Sequence, residues 1–334
     1  MSQVRRRQFL IAAGAVLVAP LRVSAQPAPR VMRVAVLEDT SENTRLREWQ
    51  LFRKRLQELG YAEGKNLVVV TRYARGDGQS LPALAAELVA QKPDVIVAPS
   101  TPSARAAQQA TSSIPIIFNG VADPVGAGLV ASLARPGGNA TGLSIMATEI
   151  GSKWIELLRE IAPGARRFGF INDASNPGSL LAFRNLQEQA RTVNASVRFL
   201  DGRNRQELES ALETTAREPL DGLIVGTTAV LFPHRDRIIQ FAAQQRLPVV
   251  YARREYVEAG GLLSYSVDLD FMFLRGAEYV HRILQGARPS DLPVEKPSRF
   301  EFVINLKTAN QIGLTIPQWT LMKATKVIQN RFGF

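Results

Sequence analysis

Two hydroxyls and a carboxylate stand in the middle of this chain, in small polar loops that follow short apolar runs. Ser100 and Thr101 come after the run at 94–98, and Asp123 after a second run at 114–118. Hydroxyls at a helix start can cap it, and the free N–H groups there favour an anion. Asp123 supplies the opposite sign. Hydroxyls for a carboxylate, beside a carboxylate for an ammonium, complement an amino acid zwitterion. The simpler role for Asp123, ahead of Pro124, is to initiate a turn.

These residues need a frame. Residues 104–110, between the two runs, are rich in Ala and Gln, as an exposed helix tends to be. Strand, helix and strand over 93–128 make a βαβ unit, which predicts a parallel sheet with a right-handed crossover. Open α/β sheets bind ligands beyond the carboxyl ends of their strands, so the two loops should be neighbours in one site. The loop Glu38-Asp39-Thr40-Ser41 follows a buried strand at 31–37 and falls on the same side. Helices at 45–59 and 81–91 and a strand at 67–73 complete a first βα set. Trp49 and Trp154 stand at apolar helical positions and read as core.

The breakers of 135–142 mark a loop and a first crossing between domains. After a helix at 153–161 the alternation resumes, with strands at 167–171, 196–200, 222–226 and 248–251 and helices between them. Beyond Gly260-Gly261 come a strand at 262–266, a helix at 270–284, a strand at 300–305 and helices at 306–312 and 322–329. Two such runs predict two α/β domains. Their expected extents are 31–142 with about 262–290, and 143–261 with about 291–334.

The 334 residues are 46% hydrophobic and 21% charged, which suits a globular protein with two sizeable cores. The formal charge of +11 is spread along the chain, and Arg5, Arg6, Arg7 and Arg22 lie in a segment expected to be removed. A solvated basic surface is expected, not a nucleic-acid site. That segment, 1–25, has the form of an export signal: a basic start, an apolar stretch at 10–21 and a small-residue cleavage site at Val23-Ser24-Ala25. Arg6-Arg7-Gln8-Phe9-Leu10 resembles a twin-arginine signal; an ordinary Sec signal is the alternative. The expected destination is the periplasm. Without cysteine there are no disulfides, thiolate metal sites or cysteine nucleophile.

Catalytic patterns are missing. The two histidines, His234 and His281, stand far apart, and neither a G-x-S-x-G nor an H-E-x-x-H motif occurs. Gly126 to Ala131 satisfies G-x-G-x-x-A, but the loop at 135–142 replaces the helix and strand that a dinucleotide site requires. No enzyme activity, metal or cofactor is expected.

Several longer stretches are distinctive: Asp123-Pro124-Val125-Gly126-Ala127-Gly128, then Arg135-Pro136-Gly137-Gly138-Asn139-Ala140-Thr141-Gly142, Asn176-Pro177, and Arg253 to Tyr265. With Leu292-Pro293-Val294-Glu295 and Ile304-Asn305-Leu306-Lys307 they resemble the ABC-transporter substrate-binding family that includes tryptophan- and tyrosine-uptake receptors. The resemblance implies an α/β type I periplasmic binding fold: two Rossmann-like lobes with parallel sheets, a multi-segment hinge, and a small-molecule ligand in the cleft. It also implies a monomer that delivers its ligand to a membrane permease driven by a separate ATPase. A sensor feeding a membrane signalling protein is an alternative, as is an exported hydrolase or lyase on the same scaffold. By this analogy the ligand contacts are Ser100, Thr101, Asp123, Asn172, Asp173, Asn176, Thr227 and Tyr251. Either Asp123 or Asp173 would face an ammonium. Asn176 also suits a helix start, and Tyr251 suits strand packing.

Overall fold

The computed structural model describes residues 30–226 and 228–329; the expected export signal at 1–25 lies outside them. The first lobe begins with β1 (Met32–Glu38), α1 (Leu46–Glu58), β2 (Leu67–Tyr73), α2 (Leu81–Ala90), β3 (Val95–Ala98), α3 (Thr101–Ala110), β4 (Ile116–Val121) and β5 (Ala140–Ser144). Its five strands lie in the order β2-β1-β3-β4-β5, all parallel. The β3 run Val95–Ala98 is buried along its whole length, as expected of a parallel strand covered on both faces. The breaker-rich segment is not all loop. Its last residues form β5, and Gly142 allows this: with φ of 145°, a Cβ there would lie 1.9 Å from the Phe118 carbonyl oxygen of β4.

The second lobe contains α4 (Ala147–Ile161), β6 (Arg167–Asn172), α5 (Pro177–Thr192), β7 (Ser196–Asp201), α6 (Arg205–Arg217), β8 (Gly222–Val225), α7 (Arg235–Gln244), β9 (Val249–Tyr251), α8 (Arg254–Glu258) and β10 (Leu263–Val267). It is completed after α9 (Leu269–Leu284) by β11 (Phe300–Asn305), α10 (Leu306–Gln311), α11 (Gln318–Met322) and β12 (Lys326–Ile328). The sheet order is β12-β11-β10-β9-β8-β6-β7, parallel except where β10 meets β11. The helix predicted at 322–329 is instead the end of α11 and the strand β12, because edge pairing with β11 overrides local propensity.

The chain crosses between lobes three times: after β5, at Asp268 between β10 and α9, and between Glu295 and β11. Domain extents therefore differ from the sequence expectation at two places. β10 belongs to the second sheet, where Tyr265 pairs with Phe302, so the crossing falls at Asp268 and not at Gly260-Gly261. Residues 292–295 run along the first sheet, with Ser144 N–H donating to the Glu295 carbonyl (3.0 Å) and Glu295 N–H to that of Gly142 (2.9 Å). The helix α9, capped by Asp268 (2.9 Å to the Phe271 N–H), packs on α1, where Phe273 meets Trp49 edge to face at 4.9 Å. Among the described residues, no helix is long and apolar enough to cross a membrane.

Candidate functional site

The carboxyl ends of both sheets face each other across a cleft with two adjoining chambers. The polar chamber, ≈ 100 Å³, takes Asp39, Ser100 and Thr101 from the first lobe and Asn172, Ser179 and Thr228 from the second. The apolar chamber, ≈ 80 Å³, lies towards the crossings between Ile145, Ile150, Val267, Leu269 and Phe273. Arg45 and Trp154 border both.

The first lobe brings charges that are already paired. Glu38, fully buried at the end of β1, accepts from Trp49 Nε1 (2.7 Å), from Thr40 N–H (3.1 Å) and from Thr40 Oγ1 (2.9 Å). Arg45 bonds both Glu38 and Asp39, the latter at 2.9 Å. Burial pushes the Glu38 carboxyl up, against the pull of Arg45. For Asp39 burial acts in the same sense, but the Arg45 guanidinium and hydrogen bonds outweigh it and hold the carboxyl below its ordinary value. Asp39 is thus an anion at the chamber wall. Ser100 caps α3 through the Ser103 N–H (3.3 Å), and Thr101 Oγ1 accepts from the Ala122 N–H (3.4 Å).

The second lobe brings neutral groups. Asn172 Oδ1 accepts from the Asp173 N–H (3.0 Å), and Asn176 caps α5 through the Gly178 N–H (2.9 Å). Next to this cap, Ser179 Oγ is buried without a hydrogen-bond partner, and so is Thr228 Oγ1. A buried polar atom left unpaired costs about 1–3 kcal/mol, so such atoms in a cavity signal an absent partner. The walls meet at α5, where a Cβ on Gly178 would lie 3.4 Å from Thr101 Oγ1. A buried ion pair also joins them: Arg253 donates to Glu48 on α1 at 3.2 Å and to Glu255 at 2.7 Å.

Of the predicted contacts, Ser100, Thr101, Asn172 and Asn176 come together in the polar chamber. Asp123 lines neither chamber. Its Oδ1 accepts from the Val125 (3.1 Å) and Gly126 (2.9 Å) N–H groups, which is the turn-forming role. Asp173 lines an outer groove and accepts from Ser175 N–H and Oγ at 2.8 and 2.6 Å. Tyr251 is a core residue stacked on Tyr256 at 4.8 Å, its phenol pushed up by burial. Thr227 lies outside the described residues. The residues that spacing did not single out are Asp39, Arg45, Asn119, Trp154, Ser179 and Thr228. Asp39 had a signal, because its loop ends a strand on the ligand side. Among the described residues no cluster of His, Cys, Asp or Glu could hold a metal ion.

Two α/β lobes, three crossings and a polar cleft between strand ends define a type I periplasmic binding fold. The chain belongs to the ABC transporter substrate binding protein family, whose pattern it matches over residues 33–328. It is 30% identical over 263 residues to a tyrosine-binding protein of Clostridioides difficile, covering 79% of this chain and 75% of that one. A Streptococcus pneumonia ABC domain crystallised with L-Trp superposes with a TM-score of 0.82 at 26% identity, over 89% of this chain and 99% of that one. A ligand-free, open substrate-binding protein from Clostridium difficile, also 26% identical, superposes at 0.67 over 90% and 99%.

Proposed function

We propose that this protein is an exported solute receptor that closes on an amino acid with an apolar side chain and hands it to a membrane permease driven by a separate ATPase. The observation that carries this reading is the pair of unpartnered buried hydroxyls, Ser179 and Thr228, set across the polar chamber from the ionised Asp39. The ligand carboxylate takes the two hydroxyls, and its ammonium takes Asp39. The neighbouring apolar chamber takes the side chain. Ligand touching both walls stabilises the closed arrangement, which the permease reads. The better match to the L-Trp complex than to the ligand-free open structure supports a closed cleft. The polar ends of such a ligand are bound, not activated, so no turnover is expected.

The test is a thermal-shift screen followed by calorimetry with amino acids, their amines lacking the carboxylate, and sugars. A ligand that binds only the folded form raises the melting temperature by an amount set by its concentration over Kd. The expected result is a shift with an apolar or aromatic amino acid that disappears with its decarboxylated amine. A shift with sugars alone would overturn the amino-acid assignment.

A further inference from the structure

Asn119 occupies a position where a strand should carry an apolar side chain. It lies in β4 beside Phe118, is 1% exposed, and borders the apolar chamber. Neither its Oδ1 nor its Nδ2 has a hydrogen-bond partner; among the described residues it is the one side chain with two such atoms. The two arginines that line the same chamber are committed. Arg45 is tied to Glu38 and Asp39, and Arg253 to Glu48 and Glu255. Room for the amide comes from α9. A Cβ on Gly276 would lie 2.9 Å from Asn119 Oδ1 and 3.1 Å from Nδ2, so a glycine there leaves space for the amide beside the helix.

We infer that Asn119 is a specificity residue that pairs with a hydrogen-bonding group at the far end of the ligand's apolar side chain. This rests on the amino-acid reading above and narrows it. The favoured substrates are amino acids whose side chain is a ring with a polar atom, such as a phenol hydroxyl or an indole N–H. An amide offers both a donor and an acceptor, so it serves either. A purely hydrocarbon ring would bury the amide unpaired, and a site built to pair a ligand group discriminates strongly against the analogue without it. The competing occupant is ordered water, which would satisfy Asn119 whatever the ligand carries.

The experiment is calorimetric Kd measurement for tyrosine, tryptophan and phenylalanine with the wild-type protein and with Asn119→Leu. The wild type should bind tyrosine or tryptophan at least ~10-fold more tightly than phenylalanine. In Asn119→Leu that preference should vanish or invert, while the melting temperature of the free protein holds or rises. If the three bind the wild type equally, or the ratio survives Asn119→Leu, the specificity role falls and the amino-acid reading stands. If none of the three binds while another class of solute does, both fall. Should Asn119→Leu not fold, the wild-type ratio of tyrosine to phenylalanine decides alone.

Discussion

The two walls of the polar chamber are built on opposite plans. The first lobe presents ions, Asp39 and Arg45, locked to each other and to Glu38 before any ligand arrives. The second presents neutral hydroxyls, Ser179 and Thr228, that have no partner at all. A paired ion holds its place without a ligand, so the first wall is a preorganised platform. An unpaired hydroxyl gains only when something fills the chamber, so the second wall is where closure and occupancy become linked. Charge selects on one side; hydrogen-bond completion rewards closing on the other.

The sharpest way to break this division is Asp39→Asn. It removes the proposed ammonium partner and leaves Arg45 with one carboxylate, so affinity should fall by about 100-fold or more. Calorimetry reads the loss, and a loss under about fivefold would show that the charged wall does not face the ligand. A smaller effect should come from the other wall. Ser179→Ala and Thr228→Val should each weaken binding by about 5–10-fold, the worth of one hydrogen bond. Neither should lower the melting temperature of the free protein, because each removes an atom that is unsatisfied there. The smallest effect concerns a charge outside the cleft. Asp221 accepts from Arg167 and from the backbone N–H groups of Arg166 and Arg167, which lowers its carboxyl to about 2. Its folded value lies below the unfolded ~3.9, so it contributes stability that is complete above that value and lost as pH falls through about 2. Asp221→Asn should cost about 1 kcal/mol in urea unfolding at neutral pH and flatten the acid limb, with ligand affinity unchanged.

Much of this was legible in the chain. Apolar runs ending in small polar loops located Ser100 and Thr101, because a parallel sheet puts such loops on one edge, and the family resemblance added Asn172 and Asn176. Tyr251 was misplaced by the period of a strand: successive side chains point to opposite faces, and Tyr251 falls on the face of the core. Its followers Ala252 and Arg253 reach the cleft instead. Asp123 obeyed its local signal, since Asp before Pro makes a turn whether or not a site is near. Asn119 and Trp154 were hidden by their surroundings. One lies in an apolar strand and the other on an apolar helical stripe, and only packing shows that each borders a cavity. The lobe extents missed for a related reason, since antiparallel pairing of β10 with β11 is a long-range choice.

The three crossings have a consequence for how the molecule is made. The first lobe is not finished by its first 144 residues: it needs α9 on α1 and residues 292–295 beside β5. Those arrive only after most of the second lobe has been synthesised, and the second sheet in turn waits for β11 and β12. Neither lobe can therefore complete its core as a nascent N-terminal domain usually does. Completing either core thus depends on residues that follow Asp268 in the chain.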